Sequence, residues 1–149
     1  MANEHFFIAC HTKHRWAAST HAIKPSDLAY EPFIQMAPST SVRQAVDQWA
    51  KQHLATPLHQ LMEVEQLGTV MGMVRAGFGV SLIPALSLEY FQDPNIAIRP
   101  LRGIPPQRTI YWVSSKHRQL SPAAKSFYSF ASTSLESWLI NQHLSSGLD

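Results

Sequence analysis

The stretch Glu63-Val64-Glu65-Gln66-Leu67-Gly68-Thr69-Val70-Met71-Gly72-Met73-Val74-Arg75-Ala76-Gly77-Phe78-Gly79-Val80-Ser81-Leu82-Ile83-Pro84 decides the fold. Leu67, Val70, Met71 and Val74 recur at helical spacing and make one apolar face. A strand around Leu61 to Val64 leads into this helix, and Val80 to Ile83 leads out of it as a second strand. Gly77 is placed for the left-handed residue that ends a helix, and Gly77 with Gly79 shapes a tight helix-to-strand turn. Pro84 stops the second strand, because proline has no amide for a ladder. Strand, helix and strand in this order form one β-α-β unit.

Reading outward from that unit, the same alternation continues. Upstream, Pro32 to Met36 reads as a strand and leads into Pro38-Ser39-Thr40-Ser41, whose hydroxyls suit a helix cap. Val42, Ala45, Val46 and Trp49 then form a single stripe at i, i+3, i+4 and i+7, with Arg43, Gln44, Asp47 and Lys51 largely outside it. Phe6 to Cys10 is the first strand, followed by a polar run from His11 to Ser19, and Ser26-Asp27-Leu28 is a short turn or helix after Pro25. Downstream, a short helix from Ala85 to Phe91 precedes strands at Asn95 to Ile98 and Thr109 to Val113, with Gly103 and Pro105-Pro106 in the loop between them. A long last helix has Ser121 as cap, Pro122 at its first position, and Phe127, Phe130, Trp138 and Leu139 along it. The fold class expected is α/β with a mainly parallel sheet.

A chain of 149 residues is one domain, long enough for a core without staples. Its single cysteine, Cys10, forms no internal disulfide, which suits a reducing compartment. No apolar run approaches a membrane span, and the start Met1-Ala2-Asn3-Glu4-His5 lacks the pattern of a secretory signal, so a cytoplasmic protein is expected. The net charge of +2 is spread along the chain, without the dense basic face that DNA phosphates require.

Candidate chemistry is sparse. Cys10, His11 and His14 cluster in Cys-His-Thr-Lys-His, but a zinc site needs three or four converging ligands and no second cluster supplies them, so no metal is expected. No serine sits in a Gly-x-Ser-x-Gly elbow, and Ser81 and Cys10 lie in apolar strands where packing is their expected role. The glycines from Gly72 to Gly79 end a helix instead of opening one, which excludes a dinucleotide fingerprint. No catalytic residue and no cofactor are assigned. The feature with binding potential is a pair of helix starts, Pro38, Ser39 and Thr40 at one and Gln66, Gly68 and Thr69 at the other. Both directly follow strands, at the sheet edge where α/β proteins hold ligands. Capping alone is the competing account.

The string from Glu63 to Pro84 resembles the segment of LysR-type transcription regulators where a helix ends in Val-x-Ala-Gly-x-Gly-Val and the next strand closes in Ile-Pro. Asp27-Leu28-Ala29-Tyr30-Glu31-Pro32-Phe33-Ile34 is similar to that family's entry into its second regulatory lobe, and Leu120-Ser121-Pro122-Ala123-Ala124-Lys125-Ser126-Phe127 to the start of its C-terminal helix. These matches keep the family's order from about Phe6 to Trp138.

The resemblance implies a periplasmic-binding-protein-like (type 2) region: two lobes, two crossover strands and an effector in the cleft between the lobes. Residues 6–138 would be a partial effector-binding region. Within it, Asp27 to Leu101 would be a complete second lobe, Phe6–Cys10 and Thr109–Val113 the crossover strands, and residues 121–143 a helix of the first lobe, with 144–149 a frayed tail. The helix-turn-helix that contacts DNA, a linker helix and most of the first lobe would lie upstream of Met1. Pro38, Ser39, Thr40, Gln66, Gly68 and Thr69 would face a small effector, anionic such as a carboxylate, while Arg43 and Arg75 would be solvated surface charges. Self-association is the further expectation, since Phe127, Phe130 and Trp138 need a partner surface. A free-standing ligand-binding module and a small α/β enzyme are the alternatives.

Overall fold

The computed structural model describes residues 2–111, 113–115 and 119–145, with side chains from residue 3 to residue 134. By internal contacts the chain divides into two units, residues 5–108 and residues 1–4 with 109–149. The elements are β1 (Ala2–His11), β2 (Phe33–Met36), α1 (Ser41–His53), β3 (Gln60–Val64), α2 (Leu67–Arg75), β4 (Ser81–Pro84), β5 (Ile96–Arg99), β6 (Gln107–Ile110) and α3 (Pro122–Ser145). Two short 3-10 helices, Pro25–Tyr30 and Ala85–Phe91, complete the set.

In the larger unit, each βα segment forms where its residues predict. Val42, Ala45, Val46 and Trp49 are all buried along α1, and Val70 and Val74 along α2. The end of α2 is a Schellman motif: Gly77 takes φ 78°, its amide donates to Val74 O at 2.9 Å, and the Phe78 amide donates to Met73 O at 3.1 Å. Gly79 is required for another reason. A Cβ there would lie 2.4 Å from Pro32 O, where the chain entering β2 passes.

β2 and β3 pair in parallel, with Met36 opposite Val64. A parallel bridge from Phe33 to Val80 joins them to the chain entering β4, and Ser81 Oγ donates to Ile34 O at 2.8 Å across this junction. The expected mainly parallel sheet needs correction here, because β1 runs antiparallel to both β4 and β5. The β-α-β segments do give parallel neighbours. β1, however, is followed by turns over residues 12–18 instead of a crossover helix, so helical periodicity carries no information about its direction. β1 is the central strand of the β4-β1-β5 order, and Phe6, Ile8, Ala9 and Cys10 on it are buried.

The run after β1, expected to be polar throughout, contains a core residue. Trp16 is 4% exposed, and Arg99 fixes its loop by donating to the carbonyl oxygens of Trp16 and Ala17.

The smaller unit holds the start of β1, the end of β6 and α3. β6 pairs with β1, and Thr109 Oγ1 donates to Asn3 Oδ1 at 2.9 Å. The strand expected at Thr109–Val113 is found at Gln107–Ile110, because extended backbone resumes directly after Pro105-Pro106 and Tyr111 has already left it. Ser121 caps α3 as expected, accepting from the Ala124 amide at 3.2 Å. Phe127 is 61% exposed and Phe130 70%. Expectations on Trp112, the side chains of Trp138 and Leu139, and the tail 146–149 lie outside the described residues.

Candidate functional site

α1 and α2 start beside one another because β2 and β3 are adjacent parallel strands that end together. The Ala37 amide, one residue past β2, donates to Val64 O at 2.8 Å. Both helix N-termini therefore emerge at one sheet edge, and each brings first-turn amides that the helix itself cannot satisfy.

The six expected residues divide by what their atoms already do. Thr40 is a full cap: its Oγ1 accepts from the Arg43 amide at 3.1 Å and donates to Ala37 O at 2.8 Å. Pro38 and Ser39 are exposed just before it, and the Ser39 hydroxyl has no partner among the described residues. Gln66 occupies the cap position of α2 without a side-chain cap bond. Thr69 is exposed and its hydroxyl has no partner among the described residues. A Cβ added to Gly68 would meet nothing within 4 Å, so the space over the start of α2 is open.

Two arginines shape this edge. Arg43, expected to be solvated, has a side chain only 15% exposed. It pairs with Asp47 at 2.8 Å and Glu63 at 3.3 Å and donates to Met36 O at 3.0 Å. It locks the start of α1 to β2 and β3, and its charge is spent on those carboxylates. Arg75 does sit at the surface, 53% exposed and 3.6 Å from Asp93. Arg108 also reaches this edge: its Nη1 donates to Ser41 Oγ at 2.9 Å, bringing a guanidinium to the first turn of α1. No spacing in the sequence announces this pair, because the two residues are 67 positions apart.

Beneath the edge, a cavity of about 10 Å³ is lined by Gln35, Met36, Val42, Arg43 and Ser81 among others, and Gln35 Oε1 has no hydrogen-bond partner among the described residues. That volume holds about one water molecule, so any larger ligand must bind on the open edge above it.

Cys10 is fully buried. Burial pushes its thiol pKa up, against a smaller downward pull from Arg99, so the nucleophilic thiolate is disfavoured. Among the described residues no group of three His, Cys, Asp or Glu side chains is placed to hold a metal. No described helix is long and apolar enough to cross a membrane.

The sequence matches the family described as LysR substrate binding domain over residues 1–136. The transcriptional regulator CbbR of Rhodospirillum rubrum is 29% identical over 120 residues, which cover 76% of this chain and 40% of that protein. The chain thus spans about two fifths of the length of that relative. Among solved structures, the effector-binding domain of BenM with its effector benzoate superposes with TM-score 0.60 at 27% identity, covering 71% of this chain and 50% of that one. The effector-binding domain of QuiR in complex with shikimate gives TM-score 0.71 at 23% identity, covering 87% and 60%.

Proposed function

The chain belongs to the LysR substrate-binding domain family, and from that premise we propose that it senses a small carboxylate effector for a transcription regulator. The observation that carries this reading is the pairing of the α1 and α2 starts at one edge. Ser39 and Thr69 offer hydroxyls there, Gly68 leaves room, and Arg108 brings a positive charge to the first turn of α1. Such an edge suits an anion, because first-turn amides and the helix dipoles favour negative charge. Benzoate, the effector named for BenM, and shikimate, the molecule in complex with QuiR, are both carboxylates.

In the full regulator, effector held at this edge and by a facing first lobe favours the closed arrangement of the lobes. A ligand biases that equilibrium only by binding the closed state more tightly than the open one. β1 and β6, as the crossover strands, absorb the motion. DNA contact is made by a helix-turn-helix outside these residues, in the cytoplasm, and copies associate through the exposed aromatic face of α3 that carries Phe130. Catalysis has no part in this reading.

The test is effector binding in a chain that carries both lobes, by calorimetry against a panel of aromatic and alicyclic carboxylates that includes benzoate and shikimate. Binding of at least one, weakened by Ser39→Ala and Thr69→Ala, is expected. Binding that neither substitution alters would place the effector elsewhere.

A further inference from the structure

β1 is antiparallel to β4, with Phe6 opposite Pro84 and Ala9 opposite Ser81. Its C-terminal end at His11 therefore lies at the end of the sheet remote from the starts of α1 and α2. There His11, Lys13 and His14, together with Ala76 and Gly77 from the end of α2, line an open pocket of about 420 Å³. No carboxylate lines it, and the nearby carboxylates are engaged: Glu31 with His14 at 3.1 Å and Arg15 at 2.7 Å, Asp93 with Arg75 at 3.6 Å.

Two donors are left to the pocket. The Lys13 amide donates to His11 Nδ1 at 2.9 Å, which leaves Nε2 as the nitrogen that carries the proton of the neutral ring. The Lys13 ammonium is exposed and has no ion pair among the described residues.

Two large apolar side chains are exposed on the segments that adjoin the pocket residues in the chain. Tyr30, 76% exposed, precedes Glu31, and Phe78, 55% exposed, follows Gly77. Their segments are tied together where the Val80 amide donates to Pro32 O at 2.9 Å. Arg15 is held between Glu31 and the Trp16 ring, whose centroid is 5.3 Å from its guanidinium carbon. Exposed aromatics beside an arginine held in place have the composition of protein-binding hot spots, and rigid side chains lose little entropy on contact.

We propose that this pole of the lobe is a docking surface for an acidic segment of a partner protein. Lys13 and His11 meet its carboxylates, and Tyr30 and Phe78 pack against its apolar side chains. Charge complementarity selects the acidic partner. The two aromatics select a polypeptide over a small anion, which would use neither of them. Docking here leaves the effector edge free, so the two events do not compete for residues.

The 149-residue chain, labelled with nitrogen-15, would be titrated with a synthetic peptide of alternating Asp, Glu, Leu and Phe. A counterpart with Lys in place of the acids, and inorganic phosphate, serve as separate arms. Saturable shifts of the His11, Lys13, Gly77 and Phe78 amides with the acidic peptide alone are expected. Lys13→Glu and Phe78→Ser should each weaken binding about tenfold or more, and Tyr30→Ser should weaken it independently, all with unchanged melting temperature. No saturable shift with the acidic peptide would overturn the proposal. So would equal shifts with phosphate that Phe78→Ser leaves intact, an outcome that reduces the pocket to a small-anion site.

Discussion

The hydroxyl of Thr40 accepts a hydrogen bond from the backbone amide of Arg43 at 3.1 Å while it donates to Ala37 O at 2.8 Å. Its hydrogen-bonding capacity is largely consumed in starting α1, which separates it from Ser39 one residue earlier. Thr40→Ala should destabilise the chain by about 0.5–2 kcal/mol, and Thr40→Ser should restore most of the loss. Denaturant unfolding with and without a saturating carboxylate would give the same increment for a pure cap. An increment that appears only with ligand would make Thr40 an effector contact.

The two glycines that flank Phe78 predict different failures. Gly77 has φ 78° with its nearest neighbour atom 3.9 Å from a would-be Cβ, so Gly77→Ala meets backbone strain of roughly 1–2 kcal/mol and no clash. At Gly79 the obstacle is the Pro32 carbonyl itself, 2.4 Å from a Cβ, and the β2–β4 junction must open to accept it. Gly79→Ala should therefore cost more than Gly77→Ala, read as the difference between their urea midpoints. The reverse order would contradict the close approach of residues 32 and 79.

Local chemistry was legible wherever a residue's neighbours lie on its own element. The stripe on α1, the left-handed Gly77 and the Ser121 cap follow from spacing alone. The burial of Trp16, the pairing of Arg43 with Glu63 and the reach of Arg108 to Ser41 were not legible. Each is settled by a strand or loop distant in sequence, and a side chain inside a polar run leaves no periodic trace of such a partner. The candidate edge itself was visible as two capping motifs after two strands. Which hydroxyl caps and which stays unpartnered is settled by how the backbone folds around each.

Glu31 ties the loop after β1 to the entry of β2 and makes the fold sensitive to acid. Burial alone would raise its pKa, but hydrogen bonds and charge from Arg15 and His14 outweigh that and lower it from the ordinary value of 4.5. A carboxylate whose folded pKa is depressed contributes stability that is fully present above the unfolded value. That stability is lost as pH falls through the folded one. The deficit of Glu31→Gln relative to the parent should accordingly shrink as pH drops below that ordinary value of 4.5. Urea midpoints of both chains from about pH 3 to about pH 5, which brackets that ordinary value, would show it. A deficit that persists unchanged at the acid end would mean that the carboxylate charge contributes nothing to holding the loop.

Gly68 separates a binding edge from a merely capped one. It lies in the first turn of α2, and a methyl group there would enter open space with no atom within 4 Å. Alanine replaces glycine in a helix with a gain of about 0.5–1 kcal/mol, from the smaller entropy lost on folding. Gly68→Ala should thus raise the melting temperature of the free protein. If an effector lies over the paired helix starts, the same methyl occupies part of its space, and affinity should fall although the fold is stronger. Opposite signs on stability and binding cannot come from general destabilisation, which would lower both. Thermal melts and calorimetry on one preparation of the two-lobe protein would read the two signs together. A variant that melts higher and binds as tightly as the parent would leave the space above α2 outside the effector site.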